Sequence, residues 1–96
     1  MRTKDSIAVM SSKPLICVID DDASVRRTLS MQLEAAGFQT VEAGDGTTGL
    51  DLIKTRRPSI AVVDIIMPGR EGLSTIQEIR DTYPDTRILA ISGGGI

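Results

Sequence analysis

The chain has 96 residues and a formal net charge of −2, and Phe38 and Tyr83 are its only aromatic residues. A chain of this length holds at most one small domain with a single core, and an aliphatic core is more typical of a parallel sheet covered by helices than of a β-sandwich. The balanced charge and the scarcity of aromatic residues argue against a nucleic-acid surface, and no apolar run is long enough to cross a membrane.

The segment before Pro14 carries only a short apolar patch, too short for the core of a signal peptide. We therefore expect residues 1–13 to form a flexible tail and residues 14–96 to form the folded domain. The single cysteine, Cys17, lies inside an apolar run and has no partner for an internal disulfide. A reduced thiol packed in the core fits a cytoplasmic protein.

The folded domain begins with a strand and a helix. Residues 15–19 form a continuous apolar, β-branched run, which predicts a strand buried on both faces. Apolar residues then recur at the helical period until Gly37, which can adopt a left-handed conformation, so we predict a helix at about 23–36. The basic pair Arg26-Arg27 on this helix is expected to be solvated surface.

A second strand, a second helix and a third strand follow. Residues 39–43 predict a short strand, and Asp45 is a suitable N-cap for a helix that ends before Pro58. Residues 59–63 consist of a serine and four apolar residues, which predicts a third buried strand. This strand delivers Asp64 to its carboxyl end.

A Met-Pro-Gly loop at 67–69 prevents either element from continuing through it. Leu73 and two later isoleucines at helical spacing predict a third helix at about 71–82, and residues 87–91 predict a fourth strand. Strand and helix thus alternate along the chain. This alternation predicts an α/β fold with a right-handed, doubly wound parallel sheet and no second domain.

Three carboxylates follow the first and third predicted strands, at Asp20, Asp21 and Asp64. Open parallel sheets bind ligands beyond the carboxyl ends of their strands, so these acids converge if the two strands are neighbours. Carboxylates at close range raise each other's pKa, and a hard divalent cation with oxygen ligands is their natural counter-charge. We predict a Mg²⁺ site here, and we expect Asp22 to cap the first helix instead.

In combination these features resemble the receiver domain of bacterial two-component response regulators, of the chemotaxis-receiver type. The resemblance rests on an acidic pair, a phosphoacceptor, a Met-Pro-Gly-x-x-Gly loop and a switch serine, at Asp20-Asp21, Asp64, 67–72 and Ser92. It implies a flavodoxin-like receiver fold with strand order 2-1-3-4-5. Strands 2-1-3-4 of that order are present in this sequence, and the fifth strand is missing from it.

The resemblance also implies a function, in which Asp64 accepts a phosphoryl group from a sensor histidine kinase or a histidine phosphotransfer protein. The family pattern makes Asp21, Asp64 and the backbone carbonyl of Ile66 direct ligands of Mg²⁺, with Asp20 acting largely through water. Ser92 would contact the phosphoryl group and act as the switch residue. The chain contains no histidine, which places it on the receiving side of the transfer, and no enzymatic activity beyond this self-phosphorylation is implied.

The family's fifth strand, its lysine and its closing helix have no counterpart before Ile96. We therefore expect a receiver domain truncated after the fourth strand, or one completed by a partner chain, with an exposed apolar strand at the edge. The surface that most receiver domains use to dimerise would be lost with the missing segment. A homodimer nevertheless stays an open expectation. No contact with nucleic acid or membrane is expected through this segment.

Two alternative functions remain open. The first is a pseudo-receiver that acts as an interaction module without phosphorylation. The second is a phosphatase of the haloacid-dehalogenase type, in which Asp20 and Asp22 would be the nucleophile and acid, and Ser92 would belong to the second motif.

Overall fold

The computed structural model describes residues 13–92, and the predicted tail at 1–13 lies outside the described residues except for its last residue. Strands and helices alternate as β1 (Leu15–Ile19), α1 (Ala23–Ala35), β2 (Gln39–Ala43), α2 (Gly46–Arg56), β3 (Ile60–Asp64), a 3₁₀ turn (Pro68–Arg70), α3 (Glu71–Thr82) and β4 (Arg87–Ile91). All neighbouring strands are parallel, and their order in the sheet is β2-β1-β3-β4. The predicted doubly wound α/β sheet with strands in the order 2-1-3-4 is confirmed.

Side chains from the central strands fill two core layers, one on each face of the sheet. The larger layer, which includes residues of α2 and α3, is Cys17, Ile19, Ala43, Ile53, Ala61, Val63, Met67 and Ile79. The smaller layer is formed by Ile16, Val18 and Val62, with Leu29 and Leu33 of α1 packed against it. Successive strand residues point to opposite faces, so a strand between two helical layers must be apolar throughout.

Cys17 is wholly buried in the larger layer. Its burial raises the pKa of the thiol to about 12. The thiol therefore stays protonated at neutral pH and behaves as a small apolar side chain. This agrees with the predicted role of Cys17 as a packed core residue.

Carboxylate side chains cap the N-termini of α1 and α2, as the sequence predicts. The side chain of Asp22 accepts hydrogen bonds from the backbone N–H groups of Ser24 and Val25, at 3.0 and 3.2 Å. Asp45 caps α2 by accepting from the N–H of Thr48 at 2.7 Å. Helix α1 ends one residue earlier than predicted, because the last turn is closed before Gly37, whose φ of 101° is left-handed.

Strand β3 begins and ends one residue later than predicted. Asp64 is its last residue, because it is paired with Ile91 of β4, and the N–H of Ile65 donates to the Ile91 carbonyl at 2.8 Å. Helix α3 then begins against the backbone that follows Asp64. A Cβ atom on Gly72 would overlap the Asp64 carbonyl oxygen and the Cα of Ile65, so only glycine allows this approach.

Strand β4 forms one edge of the described sheet, since its only strand neighbour within residues 13–92 is β3. Leu89 in this strand is 56% exposed, which agrees with the predicted exposed apolar edge. Helix α3 has the predicted bounds, and Leu73 at its start is 55% exposed. Across residues 13–92 we find no helix with the length and hydrophobicity needed to cross a membrane.

Candidate functional site

The three predicted acids meet at the carboxyl edge of the sheet. β1 and β3 are neighbours with Ile19 paired to Val63, so the residues that follow, Asp20 and Asp64, lie side by side. One carboxylate oxygen from each of Asp20, Asp21 and Asp64 lies within 4.8 Å of the other two. Asp20 and Asp64 are buried, whereas Asp21 is exposed. The structure therefore brings together the side chains that the sequence placed at this edge.

Asp20 is the most deeply buried member of the cluster. Its Oδ1 accepts a hydrogen bond from the N–H of Asp22 at 2.9 Å, while its Oδ2 is buried with no hydrogen-bond partner among residues 13–92. Burial raises the pKa of Asp20, the hydrogen bond from Asp22 opposes that rise, and repulsion from Asp64 adds to it. A buried carboxylate oxygen without a partner is costly, and a water held by a cation beside it would satisfy it.

Asp64 is oriented by the turn that follows it. Its Oδ1 accepts a hydrogen bond from the N–H of Ile66 at 2.8 Å. This local bond keeps the backbone of Ile66 beside the Asp64 carboxylate, while the Ile66 side chain is exposed. That the Ile66 carbonyl acts as a metal ligand stays a prediction.

Ser92 lies at the same edge of the sheet, one strand further along. It follows Ile91, which is paired with Asp64 across β3 and β4. The exposed Ser92 also borders an open groove of about 430 Å³, lined by Ser24, Val25, Thr28, Leu29, Gln32 and Ile91. Its contact with a phosphoryl group stays a prediction.

Asp22 does not belong to the acidic cluster. Its carboxylate is engaged by the N-terminus of α1, and the hydrogen bonds from Val25 and Ser24 lower the pKa of Asp22. The phosphatase alternative needs this side chain as a proton donor beside Asp20. A carboxylate that caps a helix in its ionised form does not suit that role.

Sequence reasoning missed Arg26, which lies beside the cluster. Its Nη1 donates to the backbone carbonyl of Asp20 at 2.7 Å, and its Nε donates to Glu42 at 3.2 Å. The expectation that Arg26-Arg27 is solvated surface is wrong for Arg26, whose side chain is only 20% exposed, and right for Arg27, at 57%. The available signal is position: Arg26 lies one helical turn after the N-cap, close enough to contact the end of β1.

Glu71 is a second residue that the sequence reasoning did not single out. Its Oε2 accepts a hydrogen bond from the backbone N–H of Gly46 at 2.6 Å. Gly46 begins α2 and Glu71 begins α3, so this bond joins the starts of two helices on the same side of the sheet. It stabilises an N–H group that has no partner inside its own helix.

The cluster offers only oxygen atoms as metal ligands, and the buried Oδ2 of Asp20 lacks a hydrogen-bond partner among residues 13–92. Hard divalent cations prefer oxygen ligands, and Mg²⁺ is commonly held by one or two carboxylates while keeping several waters. The exposed position of Asp21 leaves room for such waters. The residues present therefore fit Mg²⁺.

Comparison with known proteins identifies relatives of the chain. A sequence profile for the response regulator receiver domain matches residues 16–95. The response regulator MprA of Mycobacterium sp. (strain KMS) is 39% identical over 77 residues, which cover 80% of this chain and 34% of the relative. The chain thus spans about a third of the length of the curated relatives it matches.

Solved structures show the same fold. A CheY-like receiver domain protein from Methanospirillum hungatei JF-1 is 24% identical, with a TM-score of 0.80 over 88% of this chain and 68% of that chain. The response regulator TrrA of Thermotoga maritima, solved in complex with Mg(2+)-BeF, is 31% identical, with a TM-score of 0.73 over 78% of this chain and 65% of that chain. TrrA in complex with the histidine kinase ThkA matches at 28% identity, with a TM-score of 0.77 over 86% and 72%.

Proposed function

The chain belongs to the response regulator receiver domain family, and from that premise we propose that Asp64 accepts a phosphoryl group from a histidine kinase or a histidine phosphotransfer protein. The observation that carries this proposal is the grouping of Asp20, Asp21 and Asp64, whose oxygens lie within 4.8 Å of one another at the edge of the sheet. A histidine kinase as partner is supported by TrrA, which was solved in complex with ThkA.

We propose Mg²⁺ as the cofactor of this site. Asp21, Asp64 and the carbonyl of Ile66 would hold the ion directly, and Asp20 would act largely through water. When bound, Mg²⁺ supplies positive charge against the carboxylates and the phosphoryl oxygens. The Mg(2+)-BeF complex of TrrA supports this choice of metal.

The side chain of Asp64 is the nucleophile in this proposal. One of its carboxylate oxygens attacks the phosphorus of a phosphohistidine, the N–P bond breaks, and its electron pair stays on the imidazole nitrogen of the donor. The product on this chain is an acyl phosphate. The N–H of Ile66 orients the Asp64 carboxylate during the attack, and Ser92 donates a hydrogen bond to a phosphoryl oxygen and acts as the switch.

The same proposal covers the organisation of the chain. Residues 14–96 would form the receiver domain, preceded by a tail at 1–13, and the chain would work in the cytoplasm, where a reduced Cys17 is expected. Its partners would be histidine kinases or histidine phosphotransfer proteins, and a second copy of the chain would be a further partner. We propose that this segment contacts neither nucleic acid nor a membrane.

Intact mass spectrometry tests the proposal directly. The purified protein is incubated with acetyl phosphate and Mg²⁺, beside Asp64→Asn and the control Asp51→Asn, which removes an exposed acid on α2. We expect one phosphoryl adduct on the wild type and on the control, and none on Asp64→Asn. Hydroxylamine should remove the adduct because it attacks acyl phosphates.

An adduct that persists on Asp64→Asn would contradict the assignment of the phosphoacceptor. If the wild type binds Mg²⁺ but never gains an adduct, from acetyl phosphate or from a phosphorylated histidine kinase, the phosphorylation-independent interaction module becomes the better account. Omitting Mg²⁺ and adding a chelator should lower the yield of adduct on the wild type.

A further inference from the structure

The backbone of Asp20 is held on both sides of its Cα from outside the acidic cluster. The N–H of Asp20 donates to the carbonyl of Ala43 on β2 at 3.1 Å. The carbonyl of Asp20 accepts from Nη1 of Arg26 at 2.7 Å. This carbonyl is part of the planar peptide unit that ends at the Cα of Asp21, so a bond to it restrains the position of the atom from which the Asp21 side chain projects.

Arg26 is itself held by a second partner. Its Nε donates to Oε1 of Glu42 at 3.2 Å, and Glu42 immediately precedes Ala43 on β2. One guanidinium therefore joins α1 to the ends of β1 and β2. The planar fork of arginine suits this arrangement, because it presents several donors in a fixed geometry.

Glu42 also balances the charge of Arg26. Burial tends to raise the pKa of Glu42, but hydrogen bonds from Arg27 and Arg26 outweigh it and leave this pKa below its ordinary value. Glu42 is therefore ionised at neutral pH beside both arginines. Because Arg26 already has this counter-charge, its contact with Asp20 acts through geometry rather than by neutralising the acidic cluster.

Arg27 provides an internal comparison. Its Nη1 donates to Oε2 of the same Glu42 at 2.7 Å, but its side chain is much more exposed than that of Arg26. The two neighbouring arginines share a glutamate, and of the two only Arg26 donates to the carbonyl of Asp20 among the described residues. A difference between them therefore reports on the contact with Asp20.

We propose that Arg26 is a positioning residue of the Mg²⁺ site, which restrains the backbone that carries the Asp21 carboxylate by holding the carbonyl of Asp20. This inference rests on the proposed function, because it concerns the same site. Groups that orient metal ligands without touching the metal typically change metal affinity by about 10- to 100-fold when they are removed.

Calorimetric titration of the whole chain with MgCl₂, without any phosphoryl donor, tests the inference. The variants are Arg26→Met and Arg27→Met, in which methionine keeps an apolar stem and removes every donor. We expect Mg²⁺ binding to weaken about tenfold in Arg26→Met and to change by less than about twofold in Arg27→Met. The melting temperature of each metal-free variant shows whether it is folded.

Arg26→Lys sharpens the test, because lysine has one ammonium that can donate to the Asp20 carbonyl but lacks the fork. It should recover part of the lost affinity, and its comparison with Arg27→Lys replaces the methionine pair if Arg26→Met does not fold. Equal Mg²⁺ affinity in folded Arg26→Met and wild type would overturn the inference, as would equal losses in both methionine variants. A wild type that binds no Mg²⁺ would overturn the proposed metal site as well.

Discussion

The carboxyl edge of the sheet has two halves that are held differently. At the ends of β1 and β3, Asp20 and Asp64 are buried, and local hydrogen bonds from Asp22 and Ile66 orient their carboxylates. At the end of β4, Ser92 is exposed beside an open groove of about 430 Å³. The comparison indicates that the chain preorganises the half that we propose for the metal (the metal half), whereas the half that we propose for the phosphoryl group is open within residues 13–92.

Truncation of one aliphatic side chain in each half should give the largest contrast. Ile19 is wholly buried at the end of β1, and Leu89 is mostly exposed in β4. We expect Ile19→Ala to lower the free energy of unfolding by about 2–5 kcal/mol, because it leaves a cavity. Leu89→Ala should change it by less than about 0.5 kcal/mol.

Urea denaturation of both variants measures the difference. The two side chains contain the same number of carbon atoms, so the contrast isolates burial. A loss for Leu89→Ala as large as that for Ile19→Ala would show that β4 is covered in solution, for example by a second copy of the chain. The dependence of the unfolding midpoint on protein concentration would then identify such a copy.

Gly72 connects the metal half to helix α3. A methyl group here would overlap the Asp64 carbonyl and the Ile65 backbone, and these atoms cannot move without shifting the end of β3. We expect Gly72→Ala to lower the free energy of unfolding by about 1–3 kcal/mol, in the range found for overpacked sites. Thermal melting checks this value, and Ser74→Ala, at an exposed position on α3, is the control.

The elements of the fold could be predicted because their signals are local. The apolar run at 15–19, the N-caps Asp22 and Asp45, and the left-handed Gly37 each identify an end or a face without knowledge of the rest of the chain. The extra strand residue Asp64 could not be predicted in this way. It depends on pairing with Ile91, which lies 27 positions later in the chain.

The acidic cluster was also predictable, because three carboxylates at strand ends must meet if the strands are neighbours. The contacts around it were not. Arginine is a residue type expected at a solvated helix position, and the partners of Arg26, Asp20 and Glu42, lie outside its own helix. Leu73 helped to predict helix α3 through its spacing, and the structure leaves its side chain exposed.

The Asp20 carboxylate should support Mg²⁺ binding but lower the stability of the metal-free protein. Burial, opposed by the hydrogen bond from Asp22, raises the pKa of Asp20 above its ordinary value of 3.8, so the folded protein holds this proton more tightly than the unfolded chain. Stability contributed by the protonated form is present below the ordinary pKa and is lost as pH rises through the folded pKa. Metal-free Asp20→Asn should therefore be more stable at about pH 7, by on the order of 1 kcal/mol.

Urea denaturation in a chelating buffer at about pH 7 and about pH 4 tests this expectation. The advantage of Asp20→Asn should shrink at the lower pH, where Asp20 of the wild type regains its proton. Asparagine can still accept the N–H of Asp22, but it lacks the charge, so added Mg²⁺ should raise the melting temperature less than in the wild type. Asp51→Asn should leave the free energy of unfolding and the response of the melting temperature to Mg²⁺ unchanged. A gain in stability for Asp20→Asn that does not depend on pH would contradict the role of burial.

Ser92 should give the smallest effect on the metal half. Its side chain is exposed and lies beyond β4, so Ser92→Ala should change the free energy of unfolding by less than about 0.5 kcal/mol. We expect its Mg²⁺ affinity to stay within about twofold of wild type, while the yield of phosphoryl adduct from acetyl phosphate falls because a donor is lost. Ser92→Thr should restore the yield by restoring the hydroxyl. If Ser92→Ala weakened Mg²⁺ binding as much as Asp20→Asn does, the two halves of the edge would be one coupled unit, since loss of an exposed hydroxyl could reach the ion only by moving β3 and Asp64.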